Sequence, residues 1–484
     1  MERRNMTLRT ALKTKKVPEI RKIVKETTVA DLADMVEELH AEERKLLFRV
    51  LDSDQSGKLF SNLDIEFQEK IIEEFSDVQQ KEILSTIYAD DIADMIEEMP
   101  SNIAKQILKN TPKDRRTDVN KLLRYEDHQT GSIMSTDVVE IKQSLTPTQA
   151  IKIIKTEHAH TEDMLTYFVV NQKGKLVGEI DLHQLVFATK GKKVKDIMGP
   201  VASVSTTMDK EEAALEFAKH DAVAMPVVNT QGYLMGMITS DDVIDTIQEE
   251  ATEDMHRMAG IEGVESSYLK TSIFKLFKSR VFWLLLLMIS STLSQIVLDS
   301  FMKIAASSLH ETTGQAATAV ITSALIAIVP VISGAAGNAG SQASTMVTRG
   351  IALGEIKKDS TFSVVRKEFG TGAMVGGILA IANFARLLIY YGVQRSGGGS
   401  MLLSQPSPNT HSYAYVWISF AASLSLFIVI IFAKMVGGLL PLLAHKMKLD
   451  PAVMAAPLLT TLIDALSILI FFGISIGILL LTVV

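Results

Sequence analysis

Residues 451–484 read PAVMAAPLLTTLIDALSILIFFGISIGILLLTVV, and Asp464 is the one charged side chain among them. A helix needs about 20 apolar residues to cross a bilayer, so this stretch spans a membrane. A carboxylate inside it is costly unless it faces a cavity or a partner, which makes a cation pathway the first hypothesis. Thr460 and Thr461 lie one turn before Asp464 and offer hydroxyls toward the same lumen if the helix is regular. The competing reading is an intramembrane ion pair with Arg386 or Lys434, although both bases read more simply as long side chains reaching out from span ends.

Working outward, residues 281–484 hold only 7 acids and 11 bases, and their apolar runs resolve into five spans: roughly 281–301, 313–347, 369–393, 413–443 and 451–484. Residues 1–280 contain no such run and carry a net charge of −11, against −7 for all 484 residues. The chain is therefore read as a multi-pass membrane protein with a large acidic soluble half. Arg349, Lys357, Lys358, Arg366 and Lys367 follow the second span, and Lys446 and Lys448 follow the fourth; the other connections are lean in bases. This asymmetry places the N-terminus in the cytoplasm and the C-terminus outside a plasma or inner membrane. Residues 1–16 are basic without an apolar core, so no cleavable signal is expected. With no cysteine, thiolate catalysis, disulfides and soft-metal sites are excluded. Five spans without an internal two-fold repeat favour a homodimer around a symmetric pore.

The second apolar run, 312–348, is uncharged for 37 residues and contains Pro330, Gly334, Gly337, Gly340, Asn338, Ser341 and Gln342. It is expected to be a broken span lining a pore, because irregular backbone at membrane depth survives only against protein or water. Close packing through small residues is the alternative. Asn338 and Gln342, four apart on one helical face, favour a hydrated path.

The soluble half contains two repeats. Val169, Val170, Asn171, Gly174, Leu176, Gly178 and Ile180 return 58 residues later as Val227, Val228, Asn229, Gly232, Leu234, Gly236 and Ile238. Each copy reads as strand, glycine turn, strand and helix, and the pair resembles the cystathionine-β-synthase-type (CBS) module, which often binds adenine nucleotides or ions. Upstream, Asp31-Leu-Ala-Asp-Met-Val-Glu-Glu-Leu39 returns as Asp91-Ile-Ala-Asp-Met-Ile-Glu-Glu-Met99, with helical apolar spacing. The residues from Asp52 to Leu63 imitate a calcium loop but end in leucine where the bidentate glutamate belongs, so no such loop is expected. After the second CBS-like copy, Asp242, Asp245, Glu249 and Glu253 stack along one helical face with few bases to balance them, and this stripe leads toward the first span.

The order of these parts resembles the MgtE family of magnesium channels and transporters over essentially the whole chain. The most specific matches are Gly337-Asn-Ala-Gly340-Ser-Gln342, Asp450-Pro-Ala-Val with Pro457 and Asp464, and Ala-Thr-Glu-Asp-Met-His at 251–256. The resemblance implies a multidomain membrane protein, not an enzyme. Its parts are a cytosolic helical repeat domain (1–130), an α/β CBS pair (131–246), a connecting, plug-like helix (247–279) and a five-helix transmembrane domain (280–484). It further implies a homodimeric magnesium-selective uptake pathway, closed by cytosolic Mg2+ bound between domains. Pore ion binding falls on Asp464, Asn338 and Thr460. The sensor falls on Asp90, Asp94, Asp209, Glu211, Asp221, Asp242, Asp245, Glu250, Glu253 and Asp254. His220-Asp221-Ala222 lacks the aromatic that stacks on adenine in some members, which weakens the case for a bound nucleotide. No nucleic acid or protein partner is implied beyond a second copy and lipid.

Mg2+ keeps its waters and demands octahedral oxygen, so a few carboxylates and carbonyls acting through water suit it. Two carboxylates ~5 Å apart at an effective dielectric near 20 repel by roughly 3 kcal/mol, which favours a divalent ion between them. The alternatives are a CBS-regulated transporter of Mn2+ or Co2+, or of an anion, for which an acidic intramembrane charge is the wrong sign. A membrane-tethered enzyme lacks a nucleophile–base pair, and His158 and His160 show no ligand pattern.

Overall fold

The computed structural model describes residues 2–157, 165–189, 191–263, 268–269, 271–313, 315–356, 360–396, 414–452 and 457–482; His158 and His160 lie outside them. The chain forms two compact units, Met1–Glu249 and Glu250–Val484.

The first unit begins with short helices from Glu2–Lys13 to Lys113–Leu122. The nine-residue repeat occupies the helices Val29–Glu37 and Ala89–Glu98, which bury Leu32, Met35 and Val36 in one copy and Ile92 and Met95 in the other. Polar side chains lock the layers together: fully buried Gln80 donates to the carbonyls of Ile72 (2.6 Å) and Phe75 (2.9 Å) and accepts from Asn110 (2.6 Å). Removing it would leave buried acceptors unmet, at about 1–3 kcal/mol. Asp52 is an N-cap, its carboxylate accepting from the Gln55 amide at 2.8 Å, so the calcium-like residues open the helix Ser53–Ser61.

The CBS-like repeats each form a three-stranded sheet. β1 (Glu140–Lys142) runs parallel to β2 (Thr166–Val170), which pairs antiparallel with β3 (Leu176–Asp181). β4 (Val204–Ser205), β5 (Ala224–Val228) and β6 (Leu234–Thr239) repeat the pattern. The repeated asparagines have one job: Asn171 accepts from the Lys173 and Lys175 amides, and Asn229 from those of Gln231 and Tyr233. That folds the hairpin over Gly174 and Gly232, both at positive φ. Gly178 and Gly236 serve a different purpose, because a Cβ there would lie 2.6 Å from the Gly199 carbonyl and 2.3 Å from that of Ser135. Ser135, ahead of the first sheet, pairs with Met237 in β6, while Gly199, ahead of the second, pairs with Glu179 in β3. Each repeat thus closes the other's sheet edge.

In the second unit five helices are long and apolar enough to cross a membrane: Ile273–Thr313, Gln315–Ala352, Thr361–Ser396, Ala414–Lys446 and Pro457–Thr482. The fourth packs on the second, third and fifth, and the first lies against the second and fifth. Two expectations need correction. The second span is one continuous helix through Pro330, not a broken one. Its glycines permit backbone contact: a Cβ on Gly340 would reach Ile463 Cδ1 at 2.1 Å, and one on Gly437 of the fourth span would lie 2.3 Å from the Gly340 carbonyl. Lys434, in turn, does not extend to a span end; it is buried at 7% exposure and faces Glu368 of the third span at 3.9 Å.

Candidate functional site

Glycine packing brings the second, fourth and fifth spans together around Asp464. Gly337 stands against Thr460, at 3.8 Å from its Cγ2 to a Cβ position. Ser333 and Ser467 share a hydrogen bond of 3.1 Å, and the Ser467 hydroxyl donates to the Asp464 carbonyl at 2.9 Å. The Asp464 side chain is half-buried and, among the described residues, has no ion-pair partner. Both bases proposed as its counter-ions are engaged elsewhere. Lys434 faces Glu368, which also accepts from Thr371 at 3.4 Å, and Arg386 donates to Asn383 Oδ1 at 2.9 and 3.2 Å. Asn338 and Gln342 point away from the helix contacts and are exposed on the single chain. No contact joins Asn338 to Asp464 among the hydrogen bonds of the described residues.

The expected sensor residues divide into three groups. In the first unit, Asp90 and Asp94 lie on the helix Ala89–Glu98, and Asp242 and Asp245 on the helix Ser240–Met258. Asp94 lines a cavity of ≈200 Å3 with Ser61, Gln68, Asp91 and Glu98. Its side chain is exposed at the surface, while the concave wall beside it limits the approach of solvent to the carboxyl. This desolvation, with Asp91, Glu97 and Asp242 adding like charge, pushes it up to about 8. Asp242 accepts from the Thr239 amide (2.9 Å) and hydroxyl (2.6 Å), which favours its charged form, but burial with Asp241 and Asp91 wins and raises it to about 6. Burial first, then Glu249 and Asp241, raises Asp245. Asp91 was missed in the sequence although its own repeat displays it; it is raised by burial and coupled to Asp241 and Asp137. Among the described residues no three carboxylates or imidazoles stand close enough to enclose a bare ion.

The second group sits elsewhere on the CBS pair. Asp209 caps the helix Lys210–Lys219 by accepting from the Glu211 amide at 3.0 Å, Glu211 lies in that helix's first turn, and exposed Asp221 adopts φ +48°.

The third group belongs to the second unit. Glu250, Glu253 and Asp254 stand on the last turns of the helix Ser240–Met258, where Arg257 donates to both Glu253 and Asp450. Burial, with Asp450 and Glu250 close by, raises Asp254 to about 6. Arg257 was overlooked in the sequence, though its place four residues after Glu253 is the signal for such a pair; Glu249 of the same stripe likewise has a base, Lys210 at 3.4 Å.

Comparison with known proteins adds an independent line. A family model described as a divalent cation transporter, MgtE, matches residues 329–474, and the MgtE intracellular N domain matches residues 27–128, together just over half of the chain. CBS domain models match residues 131–191 and 194–249. The magnesium transporter MgtE of Thermus thermophilus is 29% identical over 480 residues, covering 98% of each chain. Its namesake from Bacillus subtilis is 27% identical over 461 residues, covering 95% of this chain and 94% of its own. A crystal structure of the soluble part of a magnesium transporter is 26% identical, with a TM-score of 0.50 over 52% of this chain and 99% of that one. With helical N-terminal domain, CBS pair and five spans in this order, the chain belongs to the MgtE family of divalent cation transporters.

Proposed function

We propose that this protein is a magnesium-selective pathway for Mg2+ uptake, formed by a homodimer and shut by cytosolic Mg2+. The observation that carries the reading is Asp464, a carboxylate in the last span with no basic partner among the described residues. Without a resident counter-charge, a membrane carboxylate is best stabilised by a passing cation. Asn338 and Gln342 support a second copy, since amides left on the outside of one chain are poorly solvated by lipid and are better placed on a hydrated axis between two. The names of the relatives from Thermus thermophilus and Bacillus subtilis support Mg2+ as the cargo.

The pore set is Asp464, Asn338 and Thr460, acting on a largely hydrated ion. The sensor set is Asp90, Asp94, Asp209, Glu211, Asp221, Asp242, Asp245, Glu250, Glu253 and Asp254. Their mutual repulsion opens the cytosolic assembly when Mg2+ is scarce, and ions bound between them select the closed arrangement. The distribution of bases supports a cytoplasmic N-terminus and an external C-terminus. Purified protein in liposomes should pass Mg2+ down its gradient without ATP; chloride flux in its place would overturn the reading. Neutralising Asp242, Asp245, Glu250 and Glu253 together should leave the pathway conducting at millimolar internal Mg2+, and unchanged closure would reduce the stripe to a solvated face.

A further inference from the structure

The contact between Arg257 and Asp450 joins two parts of the second unit that are 193 residues apart in sequence. Arg257 occupies the last turn of the helix Ser240–Met258, and its two terminal nitrogens go to different carboxylates: Nη1 donates to Asp450 and Nη2 to Glu253. Both partners are held in place. Glu253 is one turn back on the same helix, and the second oxygen of Asp450 accepts from the Ala452 amide at 2.7 Å. Beyond Arg257 the helix is closed by Gly260 at φ +67°, and the Glu262 amide donates to the Ser279 carbonyl of the first span at 2.9 Å. The anchor of the guanidinium is therefore fixed relative to the spans.

Among the described residues, Glu250, Glu253, Asp254 and Asp450 stand around this cation and act on one another electrostatically. One positive charge among four carboxylates leaves the cluster acidic overall. A divalent ion brings twice the charge of the guanidinium but must take the same oxygens from it. A guanidinium keeps its proton throughout the physiological range, so it occupies those oxygens at every pH the cell meets.

We infer that Arg257 is a tethered cation that competes with the regulatory divalent ion for Asp450 and Glu253, and so sets the concentration at which the pathway closes. This rests on the proposed closure by cytosolic Mg2+ and names the residue that tunes it. When Mg2+ is scarce the guanidinium holds Asp450, at the entry to the span bearing Asp464. When Mg2+ is abundant the ion displaces it, and the segment leading into that span changes partner.

The test uses the full-length protein in inside-out membrane patches, with Mg2+ stepped on the cytosolic face. Arg257→Gln removes the competitor, and the half-closing Mg2+ concentration should fall about fivefold, the low end of measured site-to-site couplings. Arg257→Lys keeps the charge but not the two-pronged geometry and should fall between the two. In an Asp450→Asn background the further change Arg257→Gln should move the midpoint less than twofold. An unchanged or raised midpoint in Arg257→Gln, whether or not current amplitude or thermal stability drops, overturns the competition. If Arg257→Gln does not assemble, the Arg257→Lys midpoint decides, and one equal to wild type overturns it likewise. A wild-type channel indifferent to cytosolic Mg2+ is a distinct result: it overturns the parent reading, and the competition falls with it.

Discussion

Glu368 and Asp464 both lie on spans of the membrane unit, and they are treated in opposite ways. Glu368, between the third and fourth spans, has Lys434 at 3.9 Å and Thr371 at 3.4 Å. Asp464, on the fifth span, has neighbours that bond with its backbone and with one another, and no base among the described residues. A bundle able to bury a lysine for one acid could have done so for the other. The difference separates a paired charge from one with no base among the described residues.

The sharpest break of this comparison removes Lys434. Lys434→Met strands the Glu368 carboxylate in the bundle and should destabilise the membrane unit by about 3–5 kcal/mol, read as thermal unfolding in detergent. The pair variant Glu368→Gln/Lys434→Met should recover much of that loss; an equal loss in both would make the pair incidental. Next comes the contact that places the two regions on one scaffold. Gly437→Ala drives a methyl into the Gly340 carbonyl and should cost about 1–3 kcal/mol, with weaker flux because the second and fourth spans move apart. Asp464→Asn reverses the pattern. Flux should drop about tenfold, equivalent to about 1.4 kcal/mol of barrier, while the melting temperature stays near wild type. A variant that conducts and selects normally, or one that fails to fold, would end the assignment of Asp464 to the pore.

The smallest effect extends the contrast to the cytosol. Asp94 lies near 8 when folded against 3.8 for the free side chain, so between those values the folded chain binds the extra proton. Stability must then fall as pH rises through that window, and Asp242 adds to the slope between 3.8 and about 6. In a chelator the cytosolic transition should melt higher at pH 6 than at pH 8, and Asp94→Asn should flatten the difference. Mg2+ should flatten it as well, by favouring the ionised carboxyls.

Much of this was legible because it is periodic. The five spans, the 58-residue offset of the CBS repeats and the helical repeat at Asp31 and Asp91 are patterns that a local window contains, and the fold follows them. The errors arose where a residue's meaning depends on a distant partner. Gly334, Gly337 and Gly340 suggested a broken helix because sequence does not show Ile463 and Gly437 pressed against that face. Lys434 was assigned to a span end because Glu368, next to Arg366 and Lys367, looked like part of a basic connection. Asp464 needed no partner to be noticed; its isolation was the signal. How the expected sensor acids divide into three groups was not readable, since eight of the ten fall between residues 209 and 254 and only packing separates them.

The exchange of edge segments between the CBS repeats has a consequence for synthesis. Ser135 leaves the ribosome about a hundred residues before its partner Met237, and Glu179 precedes Gly199 by twenty. The sheet of the first repeat can therefore be closed early by Gly199, whereas Ser135 must wait, unpaired, until the whole second repeat has emerged. Long-range pairings of this kind slow folding and leave sheet edges exposed meanwhile. The module is thus completed by its own last strand, only some forty residues before the first hydrophobic span is made.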